Sequence, residues 1–462
     1  MTDEAGTDEF TVLEVPACVG SLVLLLRCSG GGIGGSFDRY IARLGDASPT
    51  LRVTLVTHKR GPLRSGGMSG ISPSTGPLAG LRVLDLTSVI MGPFATQILG
   101  DLGADVISIE DIGGDTNRVM GPGPHPQLSG TSMNLLRNKR NISLDLKTAD
   151  GREAFLRIAE TSDIVVTNLR PGPLRRLRLA YDDVRARRPD VIFCQAHGWP
   201  SDSERADDPA YDDIVQAATG IADVLGRASG RPNLIPSIVA DKVSGLTIVY
   251  AVLAALHHRD RTGEGQHLEV PMVDTVTAFL LVEHGAGAIP VPATGPAGYA
   301  RILTPHRRPQ QTTDGWINVL PYSAEHYADL FRAGGREDLI DDARVASGRD
   351  RIANADSLYQ DVASIIATNT TAYWVELCRT HGIPASRVVT VQELVDELPV
   401  AEHPIAGRYH QIPPPVRFSA TPPDIRRHAP LIGQHGPEIL TELGYTNTEI
   451  AALKAADVLR EH

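Results

Sequence analysis

Between residues 80 and 200, short apolar runs alternate with longer stretches in which apolar residues recur every three or four positions. The runs Leu81 to Leu86, Ala104 to Glu110, Asn141 to Leu146, Ile164 to Asn168 and Asp190 to Gln195 are too short for helices and rich in Val and Ile, so they predict strands. Phe94 to Leu102, Gly151 to Thr161 and Tyr181 to Arg188 carry the helical spacing, and Gly103 ends the first of them. Strands alternating with helices give an α/β fold, a Rossmann-like parallel sheet with helices on both faces. Ligands of such sheets collect at the carboxyl ends of strands, here Thr87 to Pro93, Asn168 to Pro171, and His197. The first of these turns lacks the glycines that hold a dinucleotide. Glu110 is either a ribose contact or an ordinary strand end.

Beyond Pro200 the pattern changes. Tyr211-Asp212-Asp213-Ile-Val-Gln216 opens a helix whose acids suit its first turn. The stretch Pro236 to Gly245 leads into Leu246 to Leu256, a run with almost no polar face, which predicts a helix buried on most sides. Asp241 at its mouth is either an N-cap or a reacting group. A strand at His267 to Val270 and a buried helix from Met272 to Leu281 follow. Later elements are a strand from Asp314 to Leu320 and helices over Ala324 to Arg332, Asp350 to Asn369 and Thr371 to His381. Pro413 to Pro415 and Pro422-Pro423 suit an extended linker. The expected organisation is an N-terminal extension (1–75), a large α/β domain (76–280), a linker and small α+β domain (281–403), and a return to the large domain (404–462).

The extension reads differently from the rest. Val23 to Cys28 followed by Gly30, Gly32 and Gly35 imitates a dinucleotide loop, but the strand-like run Leu51 to Thr57 ends in His58-Lys-Arg60 rather than an acid. Residues 61–76 are linker-like, and Met68 within them is a candidate internal start.

The chain has 462 residues and a net charge of −11, which argues against a nucleic-acid surface. Its four cysteines have neither zinc nor disulfide spacing, which suits reduced thiols in the cytoplasm. No membrane span is expected, and the start is acidic where a signal peptide would be basic. His257 and His258 are adjacent and point to different helix faces, so no metal is expected. Basic residues gather at Arg137, Lys139 and Arg140 and again at Arg170, Arg175, Arg176 and Arg178. Such clusters are solvated faces or contacts for a phosphorylated ligand.

A colinear set of segments resembles the family III CoA-transferases of the CaiB/BaiF type from about residue 76 to the C-terminus. The set comprises Leu81 to Leu86, Leu102 to Glu110, Gly114 to Arg118, Asn138-Lys139-Arg140, Asp163 to Gly172, Tyr211 to Ala217, Ala240-Asp241, Arg259 to Asp274 and Ala429 to Tyr445. The resemblance implies a large and a small domain and two chains threaded as interlocked rings, hence a homodimer. It implies that Asp241 is a nucleophile forming covalent aspartyl intermediates. Coenzyme A and its acyl thioesters would be substrates, with no permanently bound cofactor. It places Val89, Ile90, Met91, Leu144, Asn168, Leu169, Arg176 and Ala210 along CoA. Asp111 stands where the family often has a base, so Lys139 and Arg140, or Arg118, would have to compensate at the phosphates. The segment Gly295 to Gln311 lacks the glycine run of the best-known members' flap. Tyr211, His197, Trp199, Tyr299 and His306 are lining candidates.

Three alternatives stand beside this reading. α-Methylacyl-CoA racemases share the resemblance, but their second base, a histidine, falls at Tyr211, and a phenol is a poor base at neutral pH. A non-catalytic CoA-thioester-binding paralogue would lack the flap, though the retained Asp241 speaks against it. A nicotinamide oxidoreductase would rest on Gly30 to Gly35 alone.

Overall fold

The structure, a computed structural model, describes residues 12–16, 50–54 and 76–462. Strands β1 (Val12–Pro16) and β2 (Thr50–Thr54) pair antiparallel. The glycine loop Gly30 to Gly35 and Met68 lie outside the described residues.

The large sheet is built from β3 (Arg82–Leu86), α1 (Met91–Asp101), β4 (Asp105–Glu110), α2 (Gly130–Leu135), β5 (Lys139–Leu144), α3 (Ala149–Glu160), β6 (Ile164–Thr167), α4 (Pro171–Leu177), α5 (Tyr181–Arg185) and β7 (Ile192–His197). It is completed by α6 (Asp212–Ala218), α7 (Ile221–Ser229), α8 (Val239–Thr262), β8 (Gln266–Pro271) and α9 (Met272–His284). The parallel strands run in the order β5-β4-β3-β6-β7-β8, the doubly wound order of a Rossmann sheet. Side chains alternate between faces, so each strand feeds two cores. Val83, Val106, Ile164 and Ile192 pack towards α1 and α8, while Leu84, Ile107, Val165 and Phe193 pack on the other side with Phe155 of α3. Burial on both faces is why the strands read as nearly unbroken apolar runs.

Two expectations fail here. Helix α8 presents Leu246 and Tyr250 to solvent, 53% and 64% exposed, and α9 presents Val282, so neither is buried on most sides within one chain. Helix α8 is also long and apolar enough by composition to cross a membrane, although half of its most apolar window is buried in the fold.

A separate three-stranded sheet of β9 (Gln310–Gln311), β10 (Trp316–Val319) and β11 (Ala385–Arg387) is backed by helices α10 (Ala324–Ala333), α11 (Gly348–Ala353), α12 (Ala355–Ile366) and α13 (Thr371–Thr380). Its core holds Ile317, Phe331, Val362 and Trp374. After α14 (Val391–Asp396) and the hairpin β12 (Val400–His403) and β13 (Gly407–His410), the chain returns to the large sheet. Helices α15 (Gly436–Glu442) and α16 (Asn447–Ala455) join the core with Phe155, and β14 (Leu459–Arg460) adds antiparallel to β5.

Candidate active site

Strands β3 and β6 are neighbours whose chains continue away from each other, which opens a crevice at their carboxyl ends. The turn after β3 is held from several sides. The Asn168 side-chain amide donates to Ser88 O at 2.8 Å, and its oxygen accepts from Ser88 N at 2.9 Å. Asp115 accepts from Val89 N at 3.2 Å, and Val89 takes a left-handed φ of 68°, which a β-branched residue adopts only under constraint. Ile90 and Met91 are buried behind the turn. Val89, Ile90, Met91, Asn168 and Leu169 are thus brought together. Ala210 packs on Gly198 at the end of β7, against the apolar cluster that also holds Met91.

Lys139 and Arg140 do not reach this crevice, because β5 starts at Lys139 and not at Asn141. The pleat then sends the two side chains to opposite faces of the sheet. Lys139 is 0% exposed and donates to Asp85 Oδ2 at 3.0 Å, Pro93 O at 3.0 Å and Thr96 Oγ1 at 2.8 Å. Arg140 pairs with Asp105 at 2.7 Å, Glu442 at 2.6 Å and Glu438 at 3.1 Å. Both charges are neutralised by carboxylates, so these side chains are committed to bracing the fold. Arg118 is likewise committed, to Glu110 at 2.6 and 2.7 Å, which also leaves Glu110 unsuited to a ribose. Leu144 is fully buried, with its backbone register set against Leu459. Arg176 is exposed and lines a cavity of about 420 Å³ with Lys147, Arg152, Leu146, Pro173 and Leu177. Lys147 and Arg152 escaped notice in the sequence because they stand apart from the runs of basic residues.

Asp241 is not the N-cap of α8. The cap position is Ile238, and Asp241 is the third helical residue. The capping oxygen comes from another helix: Asp212 Oδ1 accepts from Ala240 N at 2.6 Å and from Asp241 N at 3.1 Å. Asp212 is fixed in turn by Gln216, whose amide donates to its Oδ2 at 2.5 Å and whose oxygen accepts from Ile235 N at 2.9 Å. The i,i+4 spacing of Asp212 and Gln216 was the sequence signal for this brace. Val239 N donates to Ser237 O at 2.8 Å, so the first amides of the helix are all occupied. They are not available to an oxyanion.

Among the described residues the Asp241 carboxylate has no hydrogen-bond partner, and the residue is 8% exposed. Burial, followed by the like charge of Asp212, pushes its pKa up to about 7. One turn on, Gly245 lies so close to α1 that a Cβ there would stand 2.9 Å from Met91 O. This contact brings the start of α8 to the β3–α1 turn. His197 is buried at the end of β7, with its pKa lowered by that burial, and its Nε2 lies 3.3 Å from Glu269. Tyr211 is exposed at the start of α6. Among the described residues no group of His, Cys, Asp and Glu is arranged to hold a metal.

The sequence and the fold around this carboxylate are similar to those of known proteins. The chain is 31% identical over 384 residues to a probable fatty acyl-CoA transferase of Mycobacterium tuberculosis, covering 79% of this chain and 97% of that one. It is 31% identical over 389 residues to the succinyl-CoA:mesaconate CoA-transferase of Haloarcula hispanica, covering 80% and 97%. A crystal structure of a CaiB/BaiF family protein from Brucella suis superposes with a TM-score of 0.68 at 27% identity, over 80% of this chain and 99% of that one. With residues 78–436 matching the family model, the chain belongs to CoA-transferase family III.

Proposed function

We propose that the enzyme moves CoA between an acyl-CoA thioester and a free carboxylic acid through covalent intermediates on Asp241. The observation that carries this reading is a buried carboxylate with no hydrogen-bond donor, at a helix start already capped by Asp212. A cap or a structural ion pair would be bonded; this group is left free to react.

The ionised Asp241 oxygen attacks the thioester carbonyl, the C–S bond breaks, and a mixed anhydride and CoA thiolate result. The thiolate attacks the aspartyl carbonyl, releasing the first carboxylate and leaving an aspartyl-CoA thioester. The acceptor carboxylate attacks that thioester, giving a second anhydride and thiolate. The thiolate then takes the new acyl group and regenerates Asp241. No electron or proton is gained or lost overall, so the residues need only bind, orient and exclude water. CoA is a substrate here, along the turn Val89 to Met91, Asn168 and Leu169, with its phosphates at Lys147, Arg152 and Arg176. Buried Asp241 gains nucleophilicity because water solvates it poorly, at the cost of a pKa near neutrality.

The exposed apolar residues Leu246, Tyr250 and Val282 support a homodimer in which a second copy covers α8 and α9. Buried, unpaired Cys194 and Cys378 suit a cytoplasmic location.

Incubation with acyl-CoA donors followed by hydroxylamine and peptide mass spectrometry tests the reading. A hydroxamate on Asp241 is expected. Modification elsewhere, or full activity of Asp241→Ala, would defeat it. Solvent deuterium entering C2 of a 2-methylacyl-CoA without acyl exchange would favour the racemase instead.

A further inference from the structure

Val89 stands half-buried in the turn after β3 with a φ of 68°, a conformation that its branched Cβ opposes. Both of its backbone polar groups are held by one short segment. Asp115 accepts from Val89 N at 3.2 Å with each carboxylate oxygen, and the Asn117 amide donates to Val89 O at 3.4 Å. Asn117 is 0% exposed, and among the described residues its side-chain oxygen has no partner. A buried amide left half-satisfied adds little to the fold by itself. The one bond its side chain does make goes to Val89.

The segment that holds Val89 has anchors of its own. Asp115 N donates to Glu110 Oε2 at 2.8 Å, and Glu110 is fixed by Arg118 at 2.6 and 2.7 Å and by the Asn141 amide at 2.7 Å. Arg118 reaches on to Pro430 O at 2.9 Å. Asn117 N donates to Asp115 Oδ1 at 2.7 Å, which fixes the carboxylate where Val89 N meets it. Burial, with the like charges of Glu110 and Asp85, pushes the pKa of Asp115 up. The fold therefore accepts a desolvated carboxylate at a place where its use is to receive backbone amides.

We propose that Asp115 and Asn117 are positioning residues that lock Val89 in its left-handed conformation and so preset the turn along which CoA lies. Without them Val89 relaxes to negative φ. Ser88 is tied to Asn168 on one side and Met91 is buried on the other, so the change falls on Val89 and Ile90. This rests on the reading of the turn as a CoA contact.

The test compares Asp115→Ala in two backgrounds, wild type and Val89→Gly, with CoA binding to the full chain measured by titration calorimetry. Glycine enters positive φ freely and needs no clamp. Asp115→Ala should weaken CoA binding about tenfold in the wild-type background and less than about twofold in the Val89→Gly background, whatever affinity Val89→Gly itself has. An equal loss in both backgrounds would make Asp115 merely the cap of the Thr116–Val119 turn, and no loss in either would mean that the turn stands unaided; both overturn the proposal. Asn117→Leu, which keeps the buried volume, is carried through the same two backgrounds with the same expectation, and serves alone if Asp115→Ala does not fold. A wild type that binds no CoA would bring down the proposal together with the CoA reading of the turn, whereas a wild type that binds CoA no better than Asp115→Ala brings down the clamp alone.

Discussion

Replacing Asp241 with Asn should abolish transfer and stabilise the protein, by an amount set by pH. The carboxyl goes from 3.8 in the unfolded chain to about 7 in the folded one, because burial and Asp212 oppose its charge. Between those values the folded chain keeps the proton and the unfolded chain has lost it. Wild-type stability therefore falls as pH rises through this window and levels off above it. At about 1.4 kcal/mol per pH unit of separation the full loss is roughly 4 kcal/mol, and residual solvent contact brings the expected figure to about 2–4 kcal/mol. Asn matches Asp in shape and does not titrate. Urea unfolding of both proteins at pH 4.5, 6 and 8 should show a stability gain for Asp241→Asn that is small at pH 4.5 and reaches its full size at pH 8. A gain independent of pH, or a loss at pH 8, would refute the picture of a desolvated, unbonded carboxylate.

Other consequences follow from the same geometry. Because only the ionised nucleophile reacts, wild-type kcat/KM should drop about tenfold per pH unit below 7, and Asp212→Asn, which keeps a capping oxygen but loses the like charge, should move that limb to lower pH. Lys139→Met should cost about 3–5 kcal/mol in urea unfolding by stranding buried Asp85, with much of the loss recovered in the double variant Lys139→Met/Asp85→Asn; a mere rise in KM for acyl-CoA would instead make Lys139 a phosphate contact. Arg176→Ala and Lys147→Ala should each raise KM for acyl-CoA about tenfold with kcat nearly unchanged, read by steady-state kinetics against donor concentration. Sedimentation should find a dimer, and Leu246→Glu with Tyr250→Glu should disrupt it; a stable monomeric wild type would contradict that use of the α8 face.

The strand–helix alternation, the doubly wound class and the position of the turn between β3 and α1 follow from the sequence, because apolar periodicity is a local property. Asp241 stands out for the same reason, as an acid at the start of a greasy run. What the acid does is not local. Asp212 lies 29 residues away, yet it takes the amides that Asp241 would otherwise cap, and so leaves the Asp241 carboxylate unbonded. The basic pair Lys139-Arg140 misled for a related reason: moving a strand start by two residues turns apparent ligand contacts into buried ion pairs, and only the pairing of β5 with β4 fixes that register. The helix of Leu246 to Leu256 looks buried on most sides by composition, while tertiary packing leaves Leu246 and Tyr250 exposed. Sequence alone decided which segments are apolar and where charge is available. Tertiary structure decided which charges are spent on one another and left the buried Asp241 carboxylate without a partner among the described residues, since pairing depends on distances that only the folded chain defines.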